Sequence, residues 1–419
     1  MRLAHAGRGG RPDATAALLQ RLIARPGPHC LALRLALREV ERALEPVLIA
    51  CLSGRVRLAI EVPAGEPAPV AHAITGLAAR LGRRRPRIGL VEGHDLLATQ
   101  SGAGLLGTPC DPPPPPDSTL IAASVRFGAA PLVGLFAKGA EVVVSGPLAP
   151  SALSIAFARY AHRWPVEDYA RLASAAAAGR ILSAGAGAAG GDLYDPAFDK
   201  LPEAGLPLVE IAEDGALAFE TSTGASPAHA ALVLSLLDGV ENPRTVADPD
   251  LTLDLDDTTL IGGKLTGVKG SAAPDHLPGT LVFETGFAGE GELAYGGTGA
   301  AGRALTAARE LETRLKSLLG DERFRVEIVG VESATRGAID RAADLAVMPG
   351  KDVRLRLALR AAAKETVEAA LAEFASLSGF GPAGAGGVRL AIHPERRVSA
   401  AKIPAHYVRP RVGLLEAEA

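Results

Sequence analysis

The stretch from Lys138 to Asp192 constrains this chain most. Val142–Val144 is a short β-branched run that stops sharply at Ser145-Gly146-Pro147. Helical character follows over Ser151–His162, with Leu153, Ile155, Phe157 and Tyr160 set among small residues. Pro165 interrupts it, a second helix is expected over Val166–Ala178, and a glycine-rich bend, Gly185–Gly191, closes at Asp192. A buried strand whose carboxyl end opens into a small-residue turn and a helix is how open α/β sheets build ligand crevices. The same glycines also suit a plain connection that needs close packing.

The upstream sequence repeats this alternation. Helices are expected over Asp13–Ile23, Glu39–Leu52 and Pro69–Leu81, with Pro46 arguing for a kink in the second. Strands are expected over Val56–Val62, Pro86–Val91, Leu120–Val125 and Val142–Val144, with a helix over Pro131–Lys138. Cys30–Leu37 alternates too weakly to assign. Strand, small-residue turn, helix and strand in repetition predict an α/β fold, a mostly parallel sheet with helices on both faces. From about Leu206 short strand candidates and Asp-Gly, Gly-Gly and Pro turns predict α+β character, with one amphipathic helix over Gly302–Leu319. The 31 prolines include five in a row at Pro112–Pro116, an extended surface segment.

The last segment stands apart. An alternating strand at Val353–Leu359, a helix at Lys364–Leu377 and strands at Val388–Ile392 and Tyr407–Leu415 suggest a small α+β unit of ferredoxin-like type. The expected division is therefore 1–348 and 349–419, with the link near Met348-Pro349-Gly350. So small a unit buries little core alone, and is expected to pack on its own large domain and on a second copy as a homo-oligomer.

Composition narrows the function classes. A net charge of −3 supplies no field for nucleic acid or an anionic membrane, so neither is an expected partner. No run approaches the roughly 20 apolar residues of a membrane span. Cys30, Cys51 and Cys110 show neither metal spacing nor a disulfide framework, and suggest a reducing cytoplasm. The nine histidines never pair at helical ligand spacing, so no metal site is expected.

The chemistry-bearing candidates cluster at strand ends. Glu92, His94 and Asp95 follow the strand ending at Val91, where such a trio could serve general acid–base work; an N-cap by Asp95 with two solvated neighbours is the plainer reading and the favoured one. Ser145 could donate to a bound carboxylate beside Gly146. Gly190, Gly191 and Asp192 close the bend, as a substrate-binding turn or an ordinary Asx turn. Gly146 and the pair Gly190-Gly191 are expected to line one crevice. Lys264 and Lys269 flank a glycine turn and more often lie on a solvated edge. The glycines do not form a dinucleotide fingerprint, and no cofactor is expected.

RLAIEVPAGEPAPVAHAITGLAARLG leading to GLVEGHDLL, then RFGAAPLVGLFAKGAEVVVSG, RYAHRW, AGRILSAGAGAAGGDL and LPEAGLPLVEIAEDGALAFET, resembles the acyclic terpene utilisation AtuA family over nearly the whole length. GFGPAGAGGVRL and SAAKIPAHYVRPRV are similar to the small domain that follows in that family. The resemblance implies small-molecule catabolism acting on a carboxylate or acyl thioester. The chain departs from the family's usual turns at Val62-Pro63-Ala64-Gly65, Ser145-Gly146-Pro147, the Gly185–Gly191 bend and Thr223–Pro227. Pro147 stands where the family usually carries arginine, which removes a bidentate anion donor. Two classes follow: a catabolic enzyme, or a catalytically reduced binding or assembly subunit on the same fold.

Overall fold

A computed structural model describes residues 1–8, 12–98, 104–105, 107–116, 118–190, 205–261, 263–320, 323–330 and 352–415. The chain begins β1 (Arg2–Arg8), α1 (Pro12–Leu22), β2 (His29–Arg34), α2 (Val40–Leu52), β3 (Arg57–Glu61), α3 (Pro67–Arg80) and β4 (Ile88–Glu92). It continues α4 (Ala130–Ala137), β5 (Val142–Ser145), α5 (Ala152–His162), α6 (Tyr169–Ser183), β6 (Pro207–Ile211), β7 (Leu217–Thr221) and α7 (His229–Leu237). Then come β8 (His276–Gly296), α8 (Ala300–Leu319), β9 (Arg323–Val329), β10 (Asp352–Ala361), α9 (Lys364–Phe380), β11 (Ala385–Pro404) and β12 (Arg411–Leu415).

Contacts divide the chain into two compact units. The first holds Met1–Cys110, Ala122–Thr280 and Ala400–Ala419; the second holds Asp111–Ile121 and Leu281–Ser399. The segment 349–419 that the sequence sets apart is thus shared between them, its last part returning to the first unit as β12.

The first unit is organised by an eight-stranded sheet of order β12-β4-β5-β3-β2-β1-β6-β7. From β4 to β1 every neighbouring pair is parallel, whereas β12, β6 and β7 join antiparallel, so the sheet is mixed. Its registers pair Ile60 with Val144, Leu90 with Val144 and Leu31 with Leu58. The weakly alternating stretch at Cys30 is strand β2, buried along nearly its whole length, which explains the faint period. Leu31, Leu33, Leu58, Ile60, Leu90 and Val144 share a core with Leu18 of α1, Leu44 and Val47 of α2 and Ile74 of α3. The alternate residues Ala32, Ala59 and Val143 are buried as well. Gly89 leaves room for Leu135 of α4, since a Cβ there would lie 2.8 Å from its side chain. Both faces are covered, as the sequence predicts, and Pro46 lies inside α2 without ending it. Cys30 and Cys51 are buried free thiols; burial, with the nearby Glu141 charge, pushes Cys51 up to about 12.

The second unit runs β8, α8, β9, β10, α9, β11, with strand order β9-β10-β8-β11. Gly279–Phe283 and Glu292–Tyr295, which the sequence pattern marks as two short strands, are parts of one long strand, β8, whose early residues belong to the first unit. Inward residues Leu355 and Leu357 of β10 share a core with Leu311 and Leu315 of α8 and Val367 and Phe374 of α9. On the outward face Arg354 pairs with Glu292 at 2.6 Å and Arg356 with Glu290 at 3.1 Å, each diagonally across the β8–β10 register. Gly291 lets α9 lie against β8, because a Cβ would stand 2.7 Å from the Phe374 ring.

Strand β12 covers the β4 edge from Ile88 to Glu92. Truncation after Pro410 is expected to expose that row of unpaired backbone groups and promote self-association. Static light scattering and urea titration of the truncated chain check this, with larger particles and a lower unfolding midpoint expected.

Candidate functional site

Strand β5 delivers its loop to the carboxyl ends of the parallel strands. All four of its residues are buried, and Ser145 is 1% exposed. The Val62 N–H donates to the Ser145 carbonyl at 2.8 Å, and the Gly146 N–H donates to Val91 at 3.1 Å. The loop then ties itself to Phe127: its N–H donates to Pro147 at 3.0 Å and its carbonyl accepts from Ala149 at 2.9 Å. The loop ends at Ser151, fully buried ahead of α5.

His94 and Gly146 meet. A Cβ on Gly146 would overlap the His94 imidazole, so glycine is required there by close approach. His94 is 6% exposed, and its Nδ1, like the Ser145 Oγ, has no hydrogen-bond partner among the described residues. Asp95 takes the turn role: its Oδ1 accepts from the Leu97 N–H at 2.9 Å and the Ala98 N–H at 3.3 Å. Glu92 is the last residue of β4, opposite Arg411. The structure thus joins His94 to the Ser145–Gly146 corner and commits Asp95 to the turn.

Gly190 ends a 3-10 turn, Gly185–Ala189, with φ 100°; it is buried, yet no atom of the described residues lies within 4 Å of where a Cβ would stand. That turn packs against β1, β6 and α7. Strand β5 is separated from β1 by β3 and β2, roughly 14 Å at the usual strand spacing. The turn before Gly190 therefore belongs to a different part of the sheet edge from Gly146. Gly191 and Asp192 lie outside the described residues. Lys269 pairs with Asp257 on an exposed edge.

What the loop lines is a pair of adjoining cavities. The smaller, about 40 Å³, lies over the ends of β1, β2 and β3 and includes His5, Glu61, Leu148 and Ser183. Arg34 and Glu61 pair at 3.2 Å, and burial followed by the Arg34 charge lowers His5 to about 4. The larger, about 360 Å³, includes Arg126, Arg180, Ser235 and Asp248, and shares Ala149, Pro150 and Ser183 with the first.

The larger cavity has an unusual acidic wall. Asp248 is 3% exposed; it accepts from the Ser151 hydroxyl and from the Asp250 N–H at 3.2 Å. Burial pushes its carboxyl up, against the opposing Ser151 bond. Asp250 turns its carboxylate onto Gly128 and accepts from the Ala129 N–H at 2.8 and 2.9 Å. Burial, and then the Asp248 charge, push Asp250 up to about 7. Arg180 stands opposite, donating to the carbonyls of Leu236 at 3.3 Å and Asp238 at 2.7 Å. A raised carboxyl at the cavity wall, Asp248, with a second, Asp250, directly behind it suits proton transfer, and also suits a simple structural tie of one loop to another.

Sequence reasoning missed His5, Glu61, Arg180, Asp248 and Asp250. The signal available was Asp248-Pro249-Asp250, two carboxylates directly before the apolar Leu251. Among the described residues no group of three His, Cys, Asp or Glu could hold a metal ion, and no helix is long and apolar enough to cross a membrane.

Gly146→Ala is expected to destabilise the fold by about 1–3 kcal/mol, because the buried His94 ring must move; urea unfolding of the variant measures it. Asp250 binds its proton more tightly in the folded chain than in the unfolded one. Its contribution to stability is therefore full below the ordinary carboxylate value and is lost as pH rises toward about 7. Asp250→Asn, which still offers the Ala129 N–H an acceptor, is expected to flatten that fall and to raise the melting midpoint at pH 8 relative to wild type. Thermal melts of both proteins across this range provide the check.

Comparison with known protein families gives a match. The profile described as Acyclic terpene utilisation family protein AtuA spans residues 37–414, which takes in most of both compact units. No curated protein and no solved structure matches the chain. With the match running from just ahead of α2 into β12, and agreeing with the motif order along the sequence, the chain belongs to the acyclic terpene utilisation AtuA family.

Proposed function

We propose that this protein binds a small carboxylic acid of acyclic terpene catabolism, or its acyl thioester, in the crevice formed by the loop after β5. The observation that carries this reading is the position of Pro150 and Ser183 between two adjoining cavities at the carboxyl ends of the parallel strands. Family membership supplies the terpene association. The apolar wall of Leu33, Leu148 and Leu153 suits a branched hydrocarbon chain. Arg126, exposed on the larger cavity and without an ion pair among the described residues, is the cation placed to meet a carboxylate or thioester carbonyl. Asp248 and Asp250 supply proton-holding groups nearby.

A second reading is a catalytically reduced binding or assembly subunit. It is favoured by the corner at β4 and β5, where the His94 ring lies buried against Gly146 and Asp95 is held by the turn. Under either reading the second unit is of ferredoxin-like type, on its β-α-β-β-α-β order, built from 281–399 rather than from 349–419. Exposed Val388, Leu390 and Val398 on β11 support self-association, and a cytoplasmic location belongs to the same reading.

Isothermal titration with a branched acyclic terpenoid acid and with its thioester tests the crevice. Ser183→Tyr places a ring between the two cavities and is expected to weaken binding about tenfold or more, roughly 1.4 kcal/mol, with little change in melting midpoint. Equal affinity in wild type and variant would remove the crevice from consideration. Mass spectrometry of the incubated ligand separates the two readings, since a binding subunit returns it unchanged.

A further inference from the structure

We propose that the opposite end of the parallel sheet carries a separate anion site, built from arginines to take a pyrophosphate-type group of a phosphorylated small molecule. A cavity of about 580 Å³ lies where the chain leads into β2 and β3, closed by the end of α5. That volume falls within the usual range of small-molecule sites. Arg55, Arg57, Arg159 and Arg163 line it, His29 joins them, and no acidic residue is among its lining residues. None of the four arginines is in an ion pair among the described residues. An adjoining pocket of about 330 Å³ shares Gly54, Val56 and Arg57 and adds Arg84 and Arg87.

The nearest carboxylate is already committed. Glu141 accepts from Arg84, and from the Arg87 N–H at 3.0 Å. Burial alone would raise its carboxyl, but those bonds outweigh burial and hold it below the ordinary value. Arg57 is pre-positioned: its Nη1 donates to the Ala140 carbonyl, its Nη2 donates to the Tyr160 hydroxyl at 2.8 Å, and the guanidinium lies 4.9 Å from the Tyr160 ring centroid.

Helix C-termini gather at this end of the sheet, and their partial negative charge attracts cations. That accounts for Arg159, whose Nε donates to the Trp164 carbonyl at 3.4 Å. Arg55 and Arg163 also stand at helix C-termini, just past α2 and as the C-cap of α5, but their exposed side chains make no hydrogen bond or ion pair among the described residues and are free to turn to a ligand. Arg163 is also the one non-glycine residue at positive φ, 56°, among the described residues. His29, buried at the cavity margin, leaves its Nδ1 without a hydrogen-bond partner among the described residues. A single carboxylate engages one guanidinium fork, whereas four around one cavity match a group with several charged oxygens. The site lies at the amino ends of β2 and β3, away from the crevice at their carboxyl ends, so either assignment stands or falls without the other.

Titration calorimetry of the full chain with inorganic pyrophosphate, at physiological ionic strength, tests the site. Saturable one-to-one binding is expected. In R55S/R163N it should weaken about tenfold or more, and in the single variant R55S measurably. R38S/R42S, which removes the same charge from exposed positions in and just before α2, should bind as wild type does. Circular dichroism melts confirm that each variant is folded; if the double variant is not, R55S alone decides. Absence of saturable binding to the wild type, or equal weakening in R55S/R163N and R38S/R42S, overturns the proposal.

Discussion

The fold rests on the double pairing of β5. Four residues, Val142–Ser145, are hydrogen-bonded to β3 on one side and β4 on the other, and none is exposed. A strand so short contributes little by itself; it holds because both faces and both edges are covered. Inserting it between β3 and β4 reverses the direction in which the chain adds strands. That reversal puts the loop 146–150 at the crevice side of the sheet and sets α5 and α6 beyond it.

The cost of this arrangement appears where the strand ends. His94 must be packed against a residue without a side chain, and Ser145 is left with a buried hydroxyl. Buried polar groups without partners cost free energy comparable to a lost hydrogen bond. Asp248 and Asp250 meet the same constraint differently. Their carboxylates are buried but bonded, one to Ser151 and one to the Ala129 N–H, and burial moves their titration toward neutrality. The carboxyl edge of the sheet is therefore where this protein concentrates its polar cost, and a ligand there would find groups already desolvated.

The two ends of a parallel sheet are not equivalent. Each helix that returns the chain leaves its C-terminus at the amino ends of the strands, and four arginines line one cavity there with no acidic residue beside them. The cavities at the other end are of mixed charge, with Glu61 and Asp248 beside Arg126 and Arg180. The two ends of the sheet in the first unit are thus chemically different.

Much of this was legible along the chain. Val142–Val144 reads as central because its β-branched run lacks alternation, and continuous burial is the reason. The strand–helix repeat up to β5, the helix Gly302–Leu319 and the outward charges of Arg354 and Arg356 follow from local period alone. The contact of His94 with Gly146 was foreseen only as nearness at strand ends. The long pairing that makes β8 one strand, the return of residues 411–415 to β4, and the split of 349–419 between units were not legible, because partner choice between distant strands leaves no local trace. The same holds for Asp248, Asp250 and Arg180, which lie on a short loop and a helix end that no periodicity links. Sequence by itself determined the α/β class and the buried central strand, through hydrophobic period and turn residues. Only the tertiary structure decided which polar groups share a cavity, because burial and charge–charge distance are properties of the folded chain and not of spacing along it.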